Sequence, residues 1–323
     1  MEVVTKKRLV LVGGRGDPDL TVEVASGLGV PVSEVVLSTF ANGEIYCRYG
    51  ESIRGGDVFV LQSHSEPIND RLMEQLLMID AAKRASAKRI TAVVPFYGYA
   101  RQDRKAEGRE PISARLVADM LSAAGAQRVV TVDLHTGQIQ GFFDYPVDHL
   151  TAIPLLCEHL SGTIEGPVTI VSPDAGGGKR ANKFAERFGD AELAFIDKRR
   201  PKGTHNVAVA TEVVGVVAGR SCILVDDMID TAGTIVSAAN LLEERGASEI
   251  VIAATHGLLS GPAIDRLKNS SVREVVVTNT LPIPSEKRFD KLTVLSIAPL
   301  LAEAIDAVFD DTSVSELFDG DNV

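Results

Sequence analysis

The sequence has little cysteine and no long apolar run, and each absence excludes a class of protein. Its three cysteines, Cys47, Cys157 and Cys222, are too few and too far apart for a disulfide framework or a zinc cluster. Cys222 lies in a short apolar run, where we expect a buried, unreactive thiol. No stretch reaches the roughly 18 consecutive apolar residues of a membrane-spanning helix, so we expect no membrane segment.

Positive charge is scarce relative to negative charge. The chain carries 33 Lys and Arg against 44 Asp and Glu, a net charge of −11, and its isoelectric point is near 5.1. Nucleic acids and anionic membranes bind positive surfaces, so we expect neither as a partner, although a local basic pocket can hold a small anionic substrate. The apolar run at residues 9–12 is too short for a signal-peptide core, so we expect a cytoplasmic protein.

The rest of the composition is typical of a two-domain globular protein. The chain has 323 residues, 45% of them hydrophobic and 24% charged, and domains average about 150 residues. Short β-branched runs alternate with segments of helical period, which predicts an α/β protein with parallel sheets covered by helices. Predicted strands cover residues 8–12, 35–38, 58–62, 90–94, 128–132, 168–171, 194–196, 221–225, 249–253, 274–277 and 292–295, and predicted helices cover 69–85, 113–124, 179–188 and 234–245.

A weak internal repeat predicts the domain boundary. Residues 92–95 (AVVP) and 130–133 (VTVD) in the first half match residues 170–173 (IVSP) and 224–227 (LVDD) in the second. Both halves contain a strand ending in proline, a helix, and a strand ending in aspartate. We therefore expect one domain over residues 1–150 and another over 151–323, with an acidic tail that is loosely held after Phe309.

Residues 224–234 (LVDDMIDTAGT) form the most informative motif. Ligands of parallel α/β sheets bind beyond the carboxyl ends of strands, where helix N–H groups and the Thr231 and Thr234 hydroxyls would hold a phosphate. Asp226 and Asp227 would then accept hydrogen bonds from sugar hydroxyls or hold a hydrated metal. The alternative is a structural aspartate pair with Asp230 as a helix N-cap.

Residues 132–148 (VDLHTGQIQGFFDYPVD) contain a candidate metal pair. On an extended backbone Asp133 and His135 point to the same side, so together they can hold a divalent ion whose remaining ligands are water or phosphate oxygens. An isolated Asp-x-His pair is a weak signal, and a structural role is the alternative.

Two further motifs are rich in glycine or in cations. Residues 171–180 (VSPDAGGGKR) follow a strand and begin a helix, and their glycines allow close backbone approach, but the Walker spacing is absent. Residues 196–201 (IDKRRP) place three cations at a strand end, which is informative in an acidic protein. A structural glycine turn and a solvated basic turn are the respective alternatives.

The motif at residues 224–234 resembles the phosphoribosyl-diphosphate-binding loop shared by phosphoribosyltransferases and ribose-phosphate diphosphokinases. Ala232 stands where a second glycine is common in the transferases. The other motifs are similar to the diphosphokinase family specifically, and this similarity extends from Phe40 to the C-terminal tail. It implies two similar phosphoribosyltransferase-type domains, each a mainly parallel sheet flanked by helices, and a homohexamer regulated by phosphate and ADP.

The resemblance also implies roles for individual residues. Catalysis is assigned to Lys198 and Arg200. ATP binding is assigned to Phe40, Asn42, Gly43, Glu44, Arg101, Gln102, Asp103 and His135. Ribose 5-phosphate binding is assigned to Arg200, Asp226, Asp227, Asp230, Thr231, Ala232, Gly233 and Thr234. Binding of the cofactor Mg²⁺ is assigned to His135, Asp174 and Asp133, and regulation to Ser52, Arg54, Ser313 and Ser315.

Two segments keep open interpretations. Asp144 and Asp148 match positions linked to a further cation in some members of the family, and a turn around Pro146 is the alternative. Residues 101–111 are charged and contain little apolar anchor, which predicts a mobile lid over ATP.

The implied reaction converts ATP and ribose 5-phosphate into AMP and 5-phosphoribosyl 1-diphosphate, by attack of the anomeric hydroxyl on the β-phosphorus. One rival function is that of a phosphoribosyltransferase, which would consume this product and would not need the motif at residues 132–148. The other is that of a non-catalytic regulatory paralogue, but such a chain is expected to have lost catalytic cations, and Lys198 and Arg200 are both present.

Overall fold

The computed structural model of the chain describes residues 7–189, 191–199 and 209–318. These residues belong to two compact units. Unit 1 contains the chain up to Thr151, together with Thr280–Pro282 and the segment from Ser296 onward. Unit 2 contains Ala152–Asn279 and Ile283–Leu295.

Unit 1 is built around a five-stranded sheet whose neighbouring strands are all parallel. Its elements are β1 (Leu9–Gly13), α1 (Pro18–Leu28), β2 (Val35–Thr39), β3 (Ile45–Tyr49), β4 (Asp57–Leu61), α2 (Ile68–Arg84), β5 (Arg89–Val94), α3 (Ser113–Ala124), β6 (Arg128–Val132), β7 (Val147–Leu150) and the C-terminal α8 (Ala298–Asp310). The strand order is β1-β4-β5-β6-β7, and β2 and β3 form a separate antiparallel hairpin. Every residue of β4 is buried, because helices cover both faces of a parallel sheet.

The C-terminal helix α8 packs with unit 1, which corrects the expected assignment of all residues 151–323 to the second domain. Helix α1 approaches α8 so closely that a Cβ added to Gly27 would lie 3.0 Å from the Ala302 Cβ. Beyond α8, Asp311 pairs with Lys7 and Arg89, so the tail is not loosely held at this point. The apolar face of α8 is buried on the first unit, which the internal repeat does not reveal.

Unit 2 is built around a seven-stranded sheet. Its elements are α4 (Ile153–Ser161), β8 (Val168–Ser172), α5 (Gly178–Phe188), β9 (Glu192–Arg199), β10 (Val209–Val214), β11 (Ser221–Ile229), α6 (Gly233–Glu244), β12 (Glu249–Gly257), α7 (Ala263–Lys268), β13 (Glu274–Thr278) and β14 (Leu292–Leu295). The strand order is β10-β9-β8-β11-β12-β13-β14, with β10 antiparallel to β9 and the other pairs parallel.

The predicted α/β fold is confirmed: each unit is a mainly parallel sheet flanked by helices. Among the described residues, no helix is both long enough and apolar enough to cross a membrane.

Candidate active site

In the sheet of unit 2, the strand order reverses between the neighbouring strands β8 and β11. The chain passes from β8 through α5 to β9 on one side, and from β11 through α6 to β12 on the other. Ligands bind at such switch points, beyond the carboxyl ends of the strands. The two loops that begin there are residues 173–177 and 230–232, which belong to the motifs that the sequence singled out.

Asp226 and Asp227 lie inside β11 rather than after its end. Pairing of β11 with β8 stops at Leu224, whereas pairing with β12 continues to Ile229, so the strand extends past β8. The two carboxylates are therefore carried by a regular strand at the edge of the switch point.

Arg180 of α5 joins the two carboxylates. Its Nη1 atom lies 3.5 Å from Asp226 Oδ1 and 3.5 Å from Asp227 Oδ1, and the side chains of Asp227 and Arg180 are only 4% and 18% exposed. Burial and the neighbouring Asp227 charge raise the pKa of Asp226, and Arg180 partly opposes this shift. The pair is thus a compact acceptor site that Arg180 contacts at both carboxylates.

The loop between β11 and α6 is a tight turn. Ala232 has φ 58° and ψ 4°, a left-handed conformation, and α6 begins at Gly233. The backbone N–H of Ser260 donates to the Asp230 carbonyl at 2.9 Å. Ala232, not Asp230, is thus the residue that precedes the helix, so the alternative interpretation of Asp230 as an N-cap is wrong.

Asp174 shapes the glycine-rich turn after β8. Its Oδ1 atom accepts hydrogen bonds from the N–H groups of Gly176 and Gly177 at 2.9 and 3.1 Å. A Cβ on Gly177 would lie 2.7 Å from Ser172 Oγ, which explains the glycine there. This carboxylate therefore has a structural role in the turn, whatever else it binds.

In unit 1, the motif at residues 132–148 lies at the carboxyl end of β6. Asp133 has φ 37°, so the backbone is not extended there, and the argument that Asp133 and His135 share a side because of strand geometry is wrong. The turn is held instead by His149, whose Nε2 accepts from the Leu134 N–H at 2.8 Å. Asp133 is nearly buried, with 8% of its surface exposed.

The segment at residues 101–103 lies beside this motif. Thr136 Oγ1 donates to Asp103 Oδ2 at 2.8 Å, which brings two of the predicted ATP-binding segments together. Gln102 Oε1 accepts from Ser113 Oγ at 2.6 Å, so the glutamine also anchors the first turn of α3. Arg101 is exposed.

A buried histidine that the sequence did not single out supports this edge of the sheet. His64 Nδ1 accepts from the Gly98 N–H at 2.9 Å, so Nε2 carries the proton and donates to Gln75 Oε1 at 2.9 Å. Gln75 in turn donates to the Val60 carbonyl of β4. Complete burial lowers the pKa of His64 to about 4, which favours the neutral ring.

The hairpin of β2 and β3 presents the predicted adenine-binding residues on its turn. The Phe40 side chain is 54% exposed and stacks edge-on against Tyr46. Asn42 Oδ1 accepts from the Glu44 N–H at 3.2 Å, and Gly43 has φ 91°, which favours glycine. Phe40 is thus an exposed residue of this turn and not part of the core.

The remaining predicted residues divide into three groups. Arg200 and the side chain of Lys198 lie outside the described residues, although the backbone of Lys198 belongs to β9 and pairs with Ala210. Asp148 accepts from Arg128 at 2.6 Å, and Asp144 is exposed. The four candidate regulatory residues are all exposed: Ser52, Arg54, Ser313 and Ser315.

Comparison with known proteins identifies the family. The family model for the N-terminal domain of ribose phosphate pyrophosphokinase matches residues 9–125, and that for the phosphoribosyl synthetase-associated domain matches residues 194–319. Ribose-phosphate pyrophosphokinase of Bifidobacterium longum is 59% identical over 316 residues, 97% of this chain and 93% of that protein. The Mycobacterium tuberculosis protein of the same name is 58% identical over 317 residues, 98% of this chain and 97% of that protein.

A solved structure agrees with this result. Phosphoribosylpyrophosphate synthetase from Mycobacterium smegmatis superimposes with a TM-score of 0.89 at 56% identity, covering 94% of this chain and 100% of that one. These matches span nearly the whole chain, and they confirm the family that the motifs at residues 132–148 and 224–234 predicted. The chain belongs to the ribose-phosphate pyrophosphokinase (diphosphokinase) family.

Proposed function

We propose that this chain transfers the β,γ-diphosphoryl group of ATP to the 1-hydroxyl of ribose 5-phosphate, giving AMP and 5-phosphoribosyl 1-diphosphate. The observation that carries the proposal is the near full-length identity to pyrophosphokinases, combined with an acidic pair and a phosphate-type loop at a topological switch point. The anomeric hydroxyl attacks the β-phosphorus, the α–β bridging bond breaks, and AMP leaves.

Ribose 5-phosphate binds to unit 2 in this proposal. The loop over residues 230–234 leads into the N-terminus of α6, where N–H groups and the helix dipole favour a phosphate. Asp226 and Asp227 accept hydrogen bonds from sugar hydroxyls, since a carboxylate would repel the phosphate itself. Arg180 contacts both carboxylates and favours the ionised form of Asp226.

ATP binds to unit 1 in this proposal. The exposed Phe40 ring supplies an apolar face for adenine, and Asn42 and Glu44 supply polar groups beside it. Arg101, Gln102, Asp103 and His135 serve the rest of the nucleotide, which is supported by the hydrogen bond that links their two segments.

The proposed metal-binding side chains fit a Mg²⁺ ion that binds together with the phosphorylated substrates. Among the described residues, no three His, Cys, Asp or Glu side chains converge as a metal site. Mg²⁺ typically keeps several waters and takes one or two carboxylates plus substrate phosphates, so such a cage is not required. His135 with Asp133, and Asp174 separately, are the residues that would hold it. The ion would neutralise polyphosphate charge.

Lys198 and Arg200 act in catalysis in this proposal. Phosphoryl-group transfer depends mainly on positioning and on fixed charges that stabilise the transition state. Two cations in an otherwise acidic chain, close in sequence to the end of β9, suit that role. We place the reaction in the cytoplasm and in a homo-oligomer, a hexamer by family resemblance; the three free cysteines agree with a reducing compartment.

The test is to incubate the purified chain with ATP, Mg²⁺ and ribose 5-phosphate and to quantify products. A diphosphokinase forms AMP in a one-to-one ratio with the sugar diphosphate. A phosphoribosyltransferase forms no AMP from this mixture, and a regulatory paralogue forms neither product. Absence of AMP formation from folded protein contradicts the proposal.

A further inference from the structure

Helix α7 places an arginine against the loop between β11 and α6. Arg266 Nη1 donates a hydrogen bond to the Thr231 carbonyl at 2.8 Å. A Cβ added to Gly233 would lie 3.1 Å from the same nitrogen, so the guanidinium packs directly on the loop backbone. Neither the sequence motifs nor the roles proposed above include Arg266.

The residue between these two contacts has an unfavourable backbone conformation. Ala232 is left-handed, at φ 58°, a conformation that non-glycine residues populate about tenfold less readily than the right-handed one. Its side chain is only 5% exposed and belongs to the core of unit 2. Such a conformation persists where the surroundings hold it, and the Arg266 bond acts on the adjoining peptide.

We propose that Arg266 is a positioning residue for ribose 5-phosphate. It holds the loop in the left-handed conformation of Ala232 and so keeps the N-terminus of α6 ready for the sugar phosphate. This inference rests on the proposed function of the loop. A loop that is competent for only part of the time binds more weakly, in proportion to the competent fraction.

The first test compares Arg266→Gln with Lys268→Gln. Both variants remove one exposed positive charge from α7, but only the first removes the bond to Thr231. Ribose 5-phosphate is titrated by calorimetry with Mg²⁺ and α,β-methylene ATP, whose α–β linkage is not cleaved. We expect the dissociation constant of ribose 5-phosphate to rise about tenfold in R266Q, which corresponds to the cost of the left-handed conformation of Ala232. In K268Q it should stay within about twofold of the wild-type value.

Kinetics give a second readout. The KM for ribose 5-phosphate should rise in R266Q with kcat and the KM for ATP nearly unchanged, because the loop is needed equally in the ground and transition states. Circular dichroism and thermal unfolding check that both variants are folded.

A third variant separates positioning from direct attraction of the phosphate. Glycine adopts the left-handed conformation at little cost, so in an Ala232→Gly background the R266Q change should weaken binding by no more than about twofold. A direct charge effect would give the same tenfold loss in either background. Wild-type affinity in R266Q, or an equal loss in the A232G background, overturns the proposal. Absence of AMP formation by the wild type would instead overturn the proposed function.

Discussion

The buried carboxylate of Glu74 provides a sharp test of the electrostatics of unit 1. Glu74 of α2 has no exposed side-chain surface, and its Oε1 accepts from the Arg15 N–H at 2.6 Å and from Gln62 Nε2 at 2.9 Å. Its Oε2 accepts from Arg15 Nε, with Arg71 Nη1 at 3.8 Å. The carboxylate therefore ties the loop after β1 to α2 and to the end of β4.

The Glu74→Gln change keeps the size of the side chain but turns one acceptor into a donor. The new amide N–H groups face the Nε–H of Arg15, so a buried hydrogen bond becomes a clash of donors. Breaking a buried ion pair costs about 3–5 kcal/mol, and the 35% exposure of Arg15 lets water recover part of that. We expect a loss of about 2–4 kcal/mol, or a melting temperature lower by about 5–12 °C.

The assay is urea and thermal unfolding followed by circular dichroism, with Asp80→Asn as the matched control. Asp80 pairs with Arg84 on the same helix, but their side chains are 40% and 78% exposed. An exposed ion pair of this spacing contributes about 0.3–0.5 kcal/mol to the free energy of unfolding. If E74Q and D80N unfold within about 0.5 kcal/mol of each other, the reasoning about the buried carboxylate is wrong.

Three further predictions concern single residues. Burial lowers the pKa of His64 from 6.5 to about 4, so the folded protein favours the neutral ring. The stability that depends on the neutral ring is fully present above pH 6.5. The free energy of unfolding then falls by up to about 3 kcal/mol as pH falls from 6.5 towards 4. In urea unfolding, His64→Asn should lose less stability between pH 7 and pH 5 than the wild type does. An equal loss in both proteins contradicts the prediction. Burial raises the pKa of Asp17 to about 6, so stability falls as pH rises from 4 to 6. Asp17→Asn, which keeps an N-cap acceptor, should show less of that fall, and an equal fall contradicts the assignment. Lys198→Ala should lower turnover by orders of magnitude with unchanged melting, and unchanged turnover contradicts its catalytic role.

The sequence predicted some elements with their exact bounds. Strands β6 and β14 and helix α3 have the predicted bounds, because each is a clear apolar or periodic run between breaking residues. Strands β3 and β10 were not predicted, and the short strand β7 was missed as well. The first alternates half-buried and exposed residues, and the second is the antiparallel edge of its sheet.

Contacts and turns that leave no local sequence pattern explain the errors in domain assignment and site geometry. Helix α8 packs on α1, some 270 residues earlier in the chain, and a local repeat cannot reveal that. The strand argument for Asp133 failed because the backbone turns immediately after β6. Arg266 gave no motif signal, since its contact with the Thr231 loop exists only once α7 has folded against it.

The fate of the terminal phosphate of ATP tests the central claim most directly. With ATP labelled by ³²P at the γ position, Mg²⁺ and ribose 5-phosphate, the proposed reaction moves the label into 5-phosphoribosyl 1-diphosphate in step with unlabelled AMP. Label recovered as inorganic phosphate, or in ribose bisphosphate with ADP as the second product, would contradict transfer of the diphosphoryl group.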